Sequence, residues 1–148
     1  MEGKQAVRFY LASAAAGLLA SLFTLRMGEA FAALKLPFLF PPLWLLPIGW
    51  TVALILLASS VRVSGDAKTI TSFYVSLGLM VCWAALFFRA GAIPAAAITG
   101  LLLTGVWLHM RRLLGQPSPQ GKKLMLPCCI WSGYLAYLNL GIWLMNLE

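Results

Sequence analysis

Pro37-Phe38-Leu39-Phe40-Pro41-Pro42-Leu43-Trp44-Leu45-Leu46-Pro47-Ile48-Gly49-Trp50-Thr51 is the stretch on which the reading of this chain turns. Its prolines fix φ and remove backbone donors, so the segment cannot begin as an ordinary helix. Trp44 and Trp50 stand where a long apolar run starts. Indole is amphipathic and favours a membrane–water boundary or the wall of a ligand pocket. The stretch reads as a rigid aromatic entrance that feeds a membrane span.

The composition around it requires lipid. Of the 148 residues, 61% are hydrophobic and only 10% charged. A soluble domain carries about 25% charged residues and could not hide so much apolar surface. At about 20 residues per span, four to six helices fit. Five apolar runs separate, over about 9–25, 43–61, 70–88, 90–108 and 124–147. The expected fold is all-α: one integral membrane domain over residues 1–148, built as a bundle of five transmembrane helices. Pro47, Pro94 and Pro127 fall in the first turns of their spans, where a missing N–H is tolerated. Lys4 and Arg8 before the first run resemble a signal peptide. That run is longer than such a segment and is followed by Arg26 and Glu29, so a retained span is expected.

The net charge is +7, but the basic residues sit between apolar runs, where they orient a chain in a bilayer. Nucleic acid is not an expected partner. Lys4, Arg8, Arg62, Lys68, Arg111, Arg112, Lys122 and Lys123 fall on one side of the membrane, against Arg26, Lys35 and Arg89 on the other. The positive-inside tendency puts the N-terminus on the cytoplasmic side of a bacterial inner membrane, or the corresponding side of an organelle membrane. Cys82, Cys128 and Cys129 have neither disulfide-framework nor metal-ligand spacing and read as small buried hydrophobes.

In the first span Ala12, Ala16 and Ala20 recur every four residues, as do Ser13, Gly17 and Ser21. Such rows let helix backbones approach closely in lipid. They serve either packing within one bundle or a homodimer seam, here through Ala12, Ala16, Gly17 and Ala20. Asn139 is strongly polar inside a span and needs a partner, either an interhelical hydrogen bond or a ligand. His109 is the only histidine and stands at a basic helix end beside Arg111. It reads as a headgroup-level residue rather than a haem ligand. No Asp, Glu, Lys or Arg lies inside a span, which argues against ion-coupled transport. With no nucleophile–base pair, paired carboxylates or phosphate loop, ordinary hydrolytic or transfer catalysis is not expected.

Pro41-Pro42-x-Trp44, followed by Pro47-x-x-Trp50-Thr51, resembles the signature of the translocator protein family, the tryptophan-rich sensory proteins (TspO/MBR). Trp83 with Phe87-Phe88 is similar to the end of that family's third helix, and Pro127, Trp131 and Leu138-Asn139 to its fifth. The likeness covers nearly the whole chain. It has departures: Phe38, Leu39 and Phe40 precede Pro41-Pro42 where the family has two tryptophans and an asparagine. Ser76 and Met80 replace polar amides, and Cys128 replaces a tyrosine. No basic residue follows Lys123, so the sterol-contact pattern of animal members is absent.

The resemblance implies a pocket within the five helices, lidded by the first loop. It would bind porphyrin, haem or a similar flat apolar small molecule in a sensor, carrier or scavenger role. The residues expected at the ligand are Trp44, Trp50, Trp83, Trp107 and Trp131, whose faces suit a flat macrocycle, with Leu135, Leu138 and Asn139. Some bacterial members of that family are associated with light-dependent porphyrin breakdown attributed to pocket tryptophans; the matching residues here are Trp50 and Trp131, but an enzyme is not the expected reading. The departures support a second reading, a non-catalytic accessory subunit of a larger membrane complex, such as a pigment–protein assembly, with its pocket eroded.

Overall fold

The computed structural model describes residues 2–24, 29–64, 66–116 and 118–147. Its helices are α1 (Glu2–Thr24), the short α2 (Glu29–Ala32), α3 (Leu45–Ser64), α4 (Ala67–Ala84), α5 (Ile93–Leu113) and α6 (Pro119–Met145). A π-helical turn, Ala85–Arg89, prolongs α4. All but α2 are long and apolar enough to cross a membrane, α4 together with its π turn. Among the described residues there is no strand. The five long helices close into a ring: α1 packs on α3, α3 on α6, α6 on α5, α5 on α4, and α4 back on α1. The five-span expectation holds.

Local chemistry sets the helix ends. Pro41 and Pro42 hold off the helix until Leu45, whose N–H donates to the Pro42 carbonyl at 2.9 Å. Pro47 then falls in the first turn, where no intrahelical donor is needed. The Asp66 carboxylate caps α4, accepting from the Lys68 and Thr69 N–H groups at 3.1 and 3.2 Å. Ser118 caps α6 by accepting from the Gly121 N–H at 3.1 Å. Both are favoured N-cap residues. Between the π turn and α5 the chain reverses through Gly91 at φ +62°, a conformation open to glycine without steric cost.

Several helices therefore outrun the apolar runs. α1 begins at Glu2 rather than near residue 9, α5 continues to Leu113, and α6 starts at Pro119 rather than near 124. Caps, not hydropathy, decide where a helix begins, so Lys122 and Lys123 join α6 as a polar opening stretch. Pro127 consequently lies inside α6 rather than in its first turn. Leu25 and Arg26, at the expected end of the first span, lie outside the described residues, as do Gly65 and Pro117.

The two ends of the ring are packed differently. At the end carrying the N-terminus and the α3–α4 and α5–α6 connections, Leu57, Val61, Phe73, Met110, Leu114 and Met125 have no exposed surface. Ala12, Ala16 and Ala20 pack against this core. Leu54 Cδ1 stands 3.0 Å from where a side chain on Gly17 would begin. Ala12, Ala16, Gly17 and Ala20 thus make contacts within the chain's own bundle while staying partly exposed.

At the opposite end the first loop is latched to α6. Asn146 Oδ1 accepts from the Lys35 N–H at 3.0 Å, and Asn146 Nδ2 donates to the Lys35 carbonyl at 2.9 Å. The Tyr134 and Tyr137 hydroxyls donate to the carbonyls of Leu39 (2.6 Å) and Phe38 (3.0 Å). These bonds hold Leu39 at φ +71°, where non-glycine residues are uncommon. Asn146→Ala removes two of the four bonds. Tryptic cleavage after Lys35 in detergent should then quicken on the order of tenfold, because proteolysis tracks the open population and each bond is worth about 1 kcal/mol. Unchanged cleavage would assign the latch to the two tyrosines alone.

Candidate functional site

The latched end of the bundle holds an aromatic cluster centred on Trp50 of α3. Its ring centroid lies 5.5 Å from Trp83, 6.3 Å from Trp107 and 6.5 Å from Trp131. Trp83 stacks on Phe87 at 5.6 Å and 18°, and meets Phe88 edge-on, also at 5.6 Å. These are the offset and edge arrangements that aromatic quadrupoles prefer. The π turn contributes directly, since i→i+5 bonding widens the helix locally. Both Phe87 and Phe88 reach Trp83 from that widened turn.

Beside the cluster, between α1, α3 and α4, lies a cavity of about 560 Å³. That size falls within the range of about 300–1,000 Å³ usual for small-molecule pockets. Trp50, Met80, Trp83 and Phe88 form its inner wall, and Ser13, Gly17 and Ser21 face them from α1. At one end Tyr10 lines it, with its hydroxyl bonded to that of Ser59 at 2.7 Å. Leu18, Leu43 and Ile55 also line it yet are exposed on the outside of the bundle. The mouth therefore opens through the side of the ring, between α1 and α3, onto the surface that faces lipid. Among the described residues, no charged side chain lines the cavity.

The expected ligand residues separate into three groups. Trp50 and Trp83 line the cavity. Trp107, Trp131, Leu135, Leu138 and Asn139 do not line it; Trp107 and Trp131 touch Trp50, and Asn139 touches Trp83, from the far side. Trp107 has no exposed surface. Trp131 lies over Gly49, and a Cβ there would overlap its ring. Leu135, Leu138 and Asn139 are buried on α6. Asn139 Oδ1 accepts from Trp83 Nε1 at 3.1 Å, and its Nδ2 donates to the Leu135 carbonyl at 2.8 Å. The asparagine makes an interhelical hydrogen bond and thereby sets the plane of the Trp83 indole. Trp44 is 66% exposed and outside the wall.

The positions that depart from the family pattern find ordinary places. Met80 lines the cavity. The Ser76 hydroxyl donates to the Phe73 carbonyl at 2.7 Å, and the Cys128 thiol faces the Ala53 carbonyl at 3.4 Å. Phe40 packs on Phe31 at 6.2 Å, while Phe38 and Leu39 are exposed. His109 is exposed near the other end of α5 and takes no part in the wall. Sequence reasoning missed the α1 side of the site, namely Tyr10, Ser13, Ser21 and Thr24. The signal was present in the Ser13, Gly17, Ser21 row, which has the same spacing as the alanine row that packs.

Five helices able to cross a membrane define an integral membrane protein, and its apolar cavity lies between three of them, α1, α3 and α4, and opens sideways rather than being enclosed by all five. The chain belongs to the TspO/MBR family, whose sequence model matches residues 9–144. It is similar to the tryptophan-rich protein TspO of Archaeoglobus fulgidus, 28% identical over 143 residues that cover 92% of this chain and 93% of the relative. It is also similar to the tryptophan-rich protein TspO of Chlorobaculum tepidum, 27% identical over 142 residues and covering 89% of each chain.

Proposed function

We propose that the cavity binds a flat apolar ligand of the porphyrin or haem type, and that the protein acts as a membrane sensor or carrier for it. The observation that carries this reading is the wall itself: two tryptophan rings, Trp50 and Trp83, border a space of about 560 Å³. Stacking on aromatic faces is how proteins commonly hold planar apolar molecules. No histidine is among the lining residues, so a haem would be gripped by its faces rather than through an imidazole. The orientation follows the charge: Arg62, Lys68, Arg111, Arg112, Lys122 and Lys123 cluster where α3 meets α4 and α5 meets α6. We assign that end to the cytoplasmic side, and the latched loop to the opposite one.

Titrating the detergent-solubilised protein with protoporphyrin IX and with haem, followed by tryptophan quenching, tests the reading. Saturation at one ligand per chain is expected. Trp50→Phe should weaken binding about three- to tenfold through lost stacking, and Trp44→Phe should leave it unchanged. Quenching that never saturates, and that all three proteins share, would mean partition into detergent and would sink the proposal.

A further inference from the structure

The first loop runs down the side of α6 rather than over the end of the bundle. Lys35 is held to Asn146, just past the last turn of α6. Pro37 Cβ then lies 2.8 Å from where a side chain on Gly141 would begin. The Phe38 carbonyl is bonded to Tyr137 and the Leu39 carbonyl to Tyr134. Each step along the loop thus meets α6 further from its end, and from Asn146 to Tyr134 the helix descends about 18 Å.

Two rulers set that descent against a bilayer. On α6, Lys123 marks the basic end; Tyr134 and Tyr137 stand about 16 and 21 Å from it along the helix, and Asn146 about 35 Å. On α3, Arg62 marks the same end, and Leu45, where the helix starts, is about 25 Å away. The hydrocarbon core is about 30 Å thick. Lys35 therefore stands at headgroup level, and the chain that follows it lies within the core.

The side chains there suit lipid. Phe38 is 82% exposed, and Leu39, Leu43 and Trp44 are exposed with it. Between Lys35 and Arg62 the chain has no charged residue. The exposed apolar surface continues along α3 through Ile48, Val52 and Ile55. The backbone is prepared as well. Pro37, Pro41 and Pro42 carry no N–H. The carbonyls of Pro37 and Pro42 accept from the Phe40 and Leu45 N–H groups, at 3.2 and 2.9 Å, and those of Phe38 and Leu39 take the tyrosine hydroxyls. Water would solvate these carbonyls without help, whereas in lipid each one left unpaired is costly.

We propose that the first loop dips into the membrane, with Phe38, Leu39, Leu43 and Trp44 among the acyl chains of the leaflet opposite the basic end. Leu43 also borders the mouth of the cavity, so this wedge brings lipid up to the opening. The partner is the bilayer itself, and the assignment does not depend on what the cavity binds.

Tryptophan emission in phosphatidylcholine nanodiscs tests it, with the lipid either plain or brominated in its acyl chains, and with iodide as the quencher in water. Trp44 is the most exposed of the six tryptophans, and its share is the emission that Trp44→Phe removes. Phe38→Trp, made in the Trp44→Phe protein, adds one indole at the tip of the loop. Gln116→Trp in the same protein adds one in the exposed connection between α5 and α6, as the water-facing reference. The Trp44 share and the indole at the tip should each lose most of their emission to brominated lipid and little to iodide. The reference should do the reverse. A side chain as exposed as Phe38 can be replaced without disturbing the core, and an unchanged unfolding midpoint of Phe38→Trp checks this. If iodide quenches the indole at the tip as it does the reference, or brominated lipid spares it, the loop is not in lipid and the proposal falls.

Discussion

Trp107→Ala is expected to open the bundle at a temperature far below that of the parent protein. Trp107 is the largest side chain with no exposed surface, and it sits edge-on to Trp50 at 6.3 Å. An unfolded span in lipid does not rehydrate its side chains, so the loss is one of packing rather than of transfer from water. The vacated volume alone is worth on the order of 3 kcal/mol. For a chain of this size that corresponds to a fall of the midpoint on the order of 10 °C. Trp107→Phe should cost far less, since the ring still fills the space and the lost Nε1 had no hydrogen-bond partner.

The cysteines report the opening. Cys128 and Cys129 are buried, whereas Cys82 is exposed. In a Cys82→Ser background, thiol labelling during a temperature ramp therefore follows loss of the core. An unshifted midpoint for Trp107→Ala would defeat the packing role.

Gly49→Ala should be the second most damaging change, although it adds a single methyl group. The place of that methyl is occupied by the ring of Trp131. Either the ring swings away, losing its edge contact with Trp50 at 6.5 Å, or α3 and α6 separate. Overpacking of this kind costs about 1–3 kcal/mol, against a gain of about 1 kcal/mol from replacing a helical glycine by alanine. A methyl meeting an indole with no free space beside the backbone belongs at the upper end, so net destabilisation is expected.

Gly78→Ala provides the control. Nothing lies within 4 Å of where its Cβ would stand, so only the gain applies, and the same labelling assay should show a slightly raised midpoint. Trp131→Leu should rescue Gly49→Ala, giving a coupling energy of opposite sign to the single losses. If Gly49→Ala behaves like Gly78→Ala, then α3 and α6 are not in contact through this glycine. Porphyrin affinity should fall together with stability in Gly49→Ala, because Trp131 holds Trp50 in place.

These two positions also mark how far the site could be read in advance. Trp50, Trp83, Trp107 and Trp131 stand out in the sequence as aromatic residues at motif spacing, and the fold does gather them round Trp50. Which of them faces the cavity was not legible. Trp107 and Trp131 are the same residue type as Trp83, yet one is sealed in the core and the other rests on a glycine. In water an amphipathic helix declares its inner face by hydropathy. In lipid both faces are apolar, so that signal is weak. For the same reason the Ala12, Ala16, Ala20 row and the Ser13, Gly17, Ser21 row looked alike. Ala12, Ala16 and Ala20 all pack against the core, and Ala20 also lines the cavity, whereas Ser13, Gly17 and Ser21 all line it.

What the amino-acid sequence determined by itself is local or additive. The blocks of apolar residues set five spans, the prolines at 41, 42 and 47 place the start of α3, and the caps Asp66 and Ser118 start α4 and α6. The tertiary structure alone decided the rotation of each helix about its axis, and with it the cavity and the latch from Asn146 to Lys35. The reason is physical. Helix rotation in a membrane is chosen by contacts such as Trp131 on Gly49 and Trp83 to Asn139, which join residues far apart in the chain and leave no periodic trace along it.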